Sequence, residues 1–280
     1  MSTSTSQVPN IPLRDQGEIP QLGFGVFQVP PEDTEETTLK AFQTGYRHID
    51  TAKAYQNEAQ VGHAFRASGV DRHEVFITTK CFNTDHGYNQ AKDAFKESLD
   101  RLELDFLDLY LIHWPVPAHD KYVETWQAFV ELQKEGLIRS IGVSNFQPPH
   151  LDRIIAETGV TPSVNQIELH PYLQQHGLRR KHEELGIVTE AWSPIAQGKV
   201  LDDPALEEIA EAHGKSTGQV TLRWHIQLGN VIFPKSVTPE RIEENFEIFD
   251  FELTDEQMSQ IDELDKGERI GPDPDTFVKP

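Results

Sequence analysis

Apolar positions along the chain form two alternating patterns. Short runs are apolar or β-branched throughout, and between them lie stretches whose apolar residues return at helical spacing. Strands buried on both faces read as continuous apolar runs, so the alternation predicts a parallel sheet covered by helices. The runs predict eight strands, at Leu22–Val26, Arg47–Asp50, Val75–Lys80, Leu107–His113, Ile138–Ser144, Val164–Glu168, Ile187–Ala191 and Val231–Phe233. A hairpin is predicted before them, from Ile11 to Pro20, turning at Gln16-Gly17.

The helical stretches carry their own stop and start signals. Thr34–Thr44, Glu58–Ser68 and Tyr122–Glu135 are each followed by a glycine (Gly45, Gly69, Gly136) where a helix C′ residue would sit. Ser216 to Gln219 and Thr254 to Gln257 read as capping boxes that open later helices. No Gly/Ser/Pro-rich linker divides the chain. A single domain over residues 1–280 is therefore expected, with about ten flexible residues at its start and a short tail at 267–280.

Eight strand–helix units in about 250 residues is the size of a (β/α)8 TIM barrel, an α/β fold. The N-terminal β-hairpin and an extra C-terminal helix would be additions to it. A doubly wound sheet would want a third phosphate-binding glycine after Gly23-Phe24-Gly25, and none follows. Other motifs also stop short. Gly214-Lys215-Ser216 lacks the upstream Walker glycine, and Gly142-Val143-Ser144-Asn145-Phe146 lacks the last glycine of a nucleophile elbow. His182-Glu183-Glu184-Leu185 does not complete a zinc motif.

Charge removes whole classes of partner. Lys and Arg number 25 against 46 Asp and Glu, a net charge of −21. Such a surplus repels a phosphate backbone and an anionic membrane, so neither nucleic acid nor membrane is expected as a partner. The one cysteine, Cys81, excludes an intramolecular disulfide. The first ten residues lack the apolar core of a secretory signal, and no apolar stretch approaches a membrane span. A cytoplasmic monomer acting on a small molecule is the expectation.

In a TIM barrel the active site lies at the C-terminal ends of the strands. The successive predicted ends carry Asp50, Lys80, His113, Ser144-Asn145, Gln166, Trp192-Ser193 and Lys235-Ser236. Each has an ordinary structural explanation: Asp50 as a turn cap, Lys80 as a solvated strand end, His113 as a hydrogen-bonded core residue, Trp192 as a core aromatic. Chance would leave one or two polar or aromatic strand ends, and seven in succession suggest a site.

Gly45-Tyr-Arg-His-Ile-Asp50-Thr-Ala-Lys-Ala-Tyr55-Gln-Asn-Glu58 resembles the first signature of the aldo-keto reductases. Leu109 to Pro115, Gly142 to Asn145, and Val164 to Pro171 are similar to successive strand-end motifs of that family. Phe233 to Asn245 is similar to its cofactor-phosphate motif. The resemblance spans about Ile19 to Asp265. Trp192-Ser193-Pro194, Asp250-Phe251 and the short tail resemble the bacterial 2,5-diketo-D-gluconate reductases within it.

The chemistry fits the residues. Reducing a carbonyl needs a hydride on carbon and a proton on oxygen. Tyr55 is a poor acid/base at neutral pH unless its anion is stabilised, and a neighbouring Lys80 ammonium would lower its pKa. Asp50 would hold Lys80 and keep it charged, and His113 would orient the carbonyl oxygen. The family assigns these four the same roles. The resemblance implies NADPH as cofactor, with Trp192 stacked on the nicotinamide and Ser144, Asn145 and Gln166 on its carboxamide. It also places Ser193, Pro194, Val237 and Thr238 around the cofactor, Lys235, Ser236 and Arg241 at the 2′-phosphate, and Glu244 and Asn245 near the adenine. Thr238-Pro239-Glu240 reads as an N-cap with proline at the first helical position.

Two departures bear on substrate. Cys81-Phe82 stands where relatives commonly place a segment ending in tryptophan, and the tail is too short for a long enclosing loop. An open pocket walled by Phe24, Phe27, Phe82, Trp114 and Trp192 would suit small aldehydes, dicarbonyls and keto-sugar acids. No unassigned cation at a strand end would clamp a carboxylate, so acids are expected to bind with KM near or above about 1 mM. Cys81 would face away from Lys80 by strand alternation and stand apart from catalysis. The alternatives are an NADP-binding regulatory or structural protein on the same barrel, which would not need all four residues, and a metal-dependent hydrolase, which would need more strand-end histidines than His113.

Overall fold

The structure, a computed structural model of the chain, describes residues 8–15 and 17–278. β1 (Asn10–Pro12) and β2 (Glu18–Pro20) form the expected antiparallel hairpin, with Ile11 opposite Ile19. Gln16 in its turn, and most of the expected flexible N-terminus (residues 1–7), lie outside the described residues.

Eight parallel strands follow: β3 (Phe24–Gly25), β4 (His48–Asp50), β5 (Phe76–Cys81), β6 (Leu107–Ile112), β7 (Ile138–Ser144), β8 (Val164–Glu168), β9 (Val188–Trp192) and β10 (Val231–Ile232). Each pairs with the next in chain order. The ring closes where Leu22 bridges Ile232 and the Gly23 amide donates to the Ile232 carbonyl at 2.8 Å. A Cβ on Gly25 would lie 2.9 Å from the Phe233 carbonyl oxygen, so the near-motif Gly23-Phe24-Gly25 serves this closure. The fold is the (β/α)8 barrel.

The outer layer is α1 (Pro31–Thr44), α2 (Glu58–Ser68), α3 (Tyr88–Leu102), α4 (Tyr122–Lys134), α5 (Pro148–Thr158) and α6 (His176–Leu185). α7 (Pro204–His213) and α8 (Thr217–Gln227) both lie between β9 and β10, while α9 (Pro239–Glu244) and α10 (Asp255–Asp262) follow β10. α1 starts three residues before the expected Thr34 because Pro31 suits the first helical position, where no amide hydrogen is needed. Gly69 and Gly136, at φ +67° and +77°, end α2 and α4 as anticipated. Both capping boxes form, Ser216 with Gln219 and Thr254 with Gln257.

Strand alternation separates two apolar clusters. One lies between strands and helices and includes Ile49, Ile77, Tyr110, Ile112, Val143 and Ile167. The other fills the barrel with Phe76, Leu109, Leu111, Val164, Val231 and Phe233, and Leu13 and Ile19 of the hairpin plug its lower end. With the lower barrel filled, inward residues at the upper strand ends are left to build a site. Among the described residues no helix is long and apolar enough to cross a membrane.

Candidate active site

Four of the anticipated side chains meet at the barrel mouth. Asp50 ends β4, Lys80 lies near the end of β5, and His113 follows β6. Tyr55 sits on a single 3-10 turn, Lys53–Tyr55, just beyond β4. The Lys80 Nζ donates to Asp50 Oδ1 at 2.7 Å and to the Thr51 carbonyl at 2.8 Å. It lies 5.1 Å from the centroid of the Tyr55 ring, and that ring meets His113 edge-on at 5.8 Å.

Burial works against the Lys80 ammonium, but Asp50 and then Tyr55 more than offset it, so its pKa ends above the ordinary lysine value and the group stays charged. Burial first, then the Lys80 charge, holds His113 well below the usual histidine range. The imidazole is therefore neutral at neutral pH, and its buried Nδ1 has no hydrogen-bond partner among the described residues. The Tyr55 phenol departs from the sequence expectation. Burial pushes its pKa up, and the nearby Lys80 charge only partly offsets this, so the net shift is upward rather than downward.

Ser144, Asn145, Gln166 and Trp192 form one connected group beside the tetrad. Ser144 Oγ donates to the Gln166 carbonyl at 2.8 Å, and Asn145 Nδ2 donates to the His113 carbonyl at 3.0 Å. Asn145 has φ +64°, a conformation asparagine tolerates better than most side chains, and it accepts from Trp192 Nε1 at 2.8 Å. Ser193 follows in the left-handed region, and the Pro194 carbonyl accepts from His225 Nε2 at 3.0 Å. Lys235, Val237, Thr238 and Arg241 are exposed past β10, where Glu244 and Asn245 close α9. Thr238 stands at the N-cap of α9, but its side chain makes no capping bond. Ser236 Oγ instead accepts from the Thr238 amide at 3.0 Å.

The substrate wall needs two corrections. Phe24 does not line the mouth: it is 1% exposed, with its ring 5.7 Å from Tyr46 in the helical layer. Phe27, Phe82 and Trp114 do lie there, with ring centroids 5.1 Å from Tyr55, 5.9 Å from His113 and 6.5 Å from His113 respectively. The tail also closes more of the mouth than expected. Glu168 accepts from the Ile270 and Gly271 amides at 2.6 and 3.0 Å, and Phe277 packs on Trp114 at 4.4 Å. Gly271 lies so close to Trp192 that a Cβ there would sit 2.3 Å from Cη2.

Cys81 is fully buried among the outward-facing residues, and burial pushes its thiol up to about 12. The neighbouring Lys80 does not activate it, because alternation sends the two side chains to opposite faces.

Two buried carboxyls at the mouth were not among the sequence candidates. Glu168 is the tail anchor. Glu190 on β9 is paired in register with Gln166 and accepts from its Nε2 at 2.8 Å. The available signal was an acid inside a parallel-strand run, Val188-Thr189-Glu190-Ala191-Trp192, where such strands are normally apolar.

A closed parallel barrel whose mouth sets a charged lysine–aspartate pair against a phenol and a neutral imidazole is the framework of an oxidoreductase acting on carbonyl groups. The aldo/keto reductase family profile matches residues 21–266. The chain is 56% identical over 269 residues to an aldo-keto reductase of Mycolicibacterium smegmatis, covering 96% of this chain and 98% of that one. It is 52% identical over 269 residues to the methylglyoxal reductase DkgA of Escherichia coli K12, covering 95% and 97%. Among solved structures, a mutant of Gox0644 in complex with NADPH superposes with TM-score 0.95 at 46% identity, covering 98% of this chain and all of that one. An aldo/keto reductase from Brucella melitensis superposes with TM-score 0.91 at 52% identity, covering 92% and 98%. The chain belongs to the aldo/keto reductase family.

Proposed function

We propose that the protein reduces the carbonyl group of small aldehydes, dicarbonyls or keto-sugar acids to alcohols with NADPH, and that Tyr55 donates the proton. The observation that carries this reading is the charged Lys80–Asp50 pair held beside the Tyr55 phenol. NADPH, when bound, supplies the hydride. With its pKa raised by burial, Tyr55 rests as the neutral phenol, the form a proton donor needs. As the carbonyl carbon takes the hydride, the carbonyl oxygen takes the phenolic proton. Tyr55 is left as a phenolate beside the Lys80 ammonium and recovers a proton from water after the alcohol leaves. His113, being neutral, donates a hydrogen bond that aims the carbonyl oxygen at Tyr55.

The residues present fit the cofactor. Ser144, Asn145 and Gln166 would hold its carboxamide, and the Trp192 ring, steadied by Asn145, would receive the nicotinamide. Ser193, Pro194, Ser236, Val237, Thr238, Glu244 and Asn245 would line the remainder. Lys235 and Arg241 are exposed and form no ion pair among the described residues, which leaves both free for the 2′-phosphate. Losing one charge-assisted contact costs about 1.5–3 kcal/mol, so Arg241→Ala is expected to weaken NADPH roughly 10–150-fold and NADH little. Fluorescence titration with both cofactors checks this. Equal weakening would show that Arg241 does not read the phosphate.

The mouth supports a reading of the substrate class. Its aromatic walls suit small carbonyls, and the nearby cations are engaged, Lys53 with Asp85 and Glu97 and Arg269 with Glu168. An anionic substrate must also approach a chain of net charge −21, most slowly at low salt. The relationship to a methylglyoxal reductase supports a dicarbonyl substrate. A neutral α-dicarbonyl is expected to show the higher kcat/KM, and a keto-sugar acid a KM near or above about 1 mM that falls with added salt. Following NADPH absorbance with both substrates at two ionic strengths tests the assignment. A strong, salt-insensitive preference for the acid would contradict it.

A further inference from the structure

We propose that Glu190 is a positioning residue of this site, fixing the Gln166 side-chain amide so that its nitrogen faces Asp50 and its carbonyl oxygen is left for the cofactor's carboxamide. The inference rests on the reading that Gln166 contacts that carboxamide. Gln166 and Glu190 are register partners on the neighbouring strands β8 and β9. The amide nitrogen of Gln166 lies 2.9 Å from Asp50 Oδ2 and 2.8 Å from Glu190 Oε2. A primary amide has two N–H donors, and here both are used. Turning the amide over would set its carbonyl oxygen against Oδ2 of the Asp50 carboxylate that holds Lys80, an atom that can only accept. The result is one buried string from Lys80 through Asp50 and Gln166 to Glu190.

With Asp50 alone as partner, the amide nitrogen would keep one N–H free and could swing. Glu190 supplies the second acceptor, and it does so without crowding the site with charge. Burial first, then the Asp50 charge, pushes its pKa up to about 8, against the opposing Gln166 hydrogen bond and Lys80 charge. At neutral pH it carries a proton, so Lys80 faces one carboxylate rather than two. Both Gln166 and Glu190 are buried, with Glu190 wholly so, and bulk water cannot replace the acceptor.

The experiment is ligand titration of four variants with NADPH and with adenosine 2′,5′-bisphosphate, which lacks the nicotinamide. Glu190→Met removes the acceptor, Glu190→Asp withdraws it by one methylene, Glu190→Gln keeps an uncharged acceptor, and Gln166→Ala removes the amide. Glu190→Met, Glu190→Asp and Gln166→Ala are expected to weaken NADPH roughly 3- to 10-fold, the value of one hydrogen bond, and to leave the bisphosphate unchanged. Glu190→Gln should stay within about 2-fold of the parent for both ligands. If Gln166→Ala loses NADPH affinity while Glu190→Met and Glu190→Asp keep it, the positioning role is wrong and the carboxamide reading stands. If Gln166→Ala itself keeps NADPH affinity, that reading falls and the role of Glu190 with it. Equal weakening of both ligands by Glu190→Met would mean a general disturbance of the barrel and would also overturn the proposal.

Discussion

Replacing Tyr55 by phenylalanine is expected to lower kcat by at least 10²–10⁴-fold while leaving NADPH affinity and thermal stability close to those of the parent. The change removes one oxygen and keeps the ring that meets Phe27 and His113. The fold therefore loses little, because no packing atom of the ring is withdrawn. Chemistry loses its proton donor, and positioned general acids typically contribute about 10²–10⁴-fold. Neither neighbour can substitute. His113 is held well below the usual histidine range, so it stays a neutral imidazole whose one N–H is far too weak an acid to protonate the oxygen, and Lys80 is tied to Asp50 and the Thr51 carbonyl. Steady-state turnover and a cofactor titration on the same preparation check this. A variant that keeps more than a tenth of the parental kcat would remove Tyr55 from its role.

The barrel was largely legible in the sequence because its signals are local. Continuous apolar runs marked all eight strands within a residue or two, and helix ends followed from glycine and capping chemistry at Gly69, Gly136, Ser216 and Thr254. Phe24 was misplaced for a local reason as well. It lies between Gly23 and Gly25, and neither glycine has a side chain to declare which face of the strand is which. The tail is a different matter. Its Pro- and Asp-rich sequence has no periodicity, and its place depends on Glu168, 102 and 103 residues away in the chain. Cross-strand pairing was equally hidden, so Glu190 could be noticed as an odd acid but not matched with Gln166. The sign of the Tyr55 shift turned on burial, a tertiary property. The charge of Lys80 was visible as an opposing influence, but its weight against desolvation was not.

Lys80→Met is expected to damage both activity and stability, and the two losses should be separable. Lys80 is fully buried and Asp50 nearly so, 2.7 Å apart. Removing the ammonium leaves a buried carboxylate whose remaining side-chain partner among the described residues is the Gln166 amide, and breaking such a pair from one side typically costs about 3–5 kcal/mol. Asn at position 50 carries no charge and needs no ammonium, so adding Asp50→Asn to Lys80→Met should restore most of that loss in chemical denaturation. Activity should not return, because the phenolate formed when Tyr55 gives up its proton would still lack a counter-charge. Both variants are expected to show kcat reduced roughly 10²–10⁴-fold. The pH profile separates the roles further. Lys80 pulls the Tyr55 pKa down against burial, so its removal leaves the phenol harder to ionise. Alcohol oxidation, which needs the phenolate as proton acceptor, should then move to higher pH in both variants, whatever their stability. If the double variant regained activity together with stability, Lys80 would be holding the barrel mouth together and taking no part in the proton transfer.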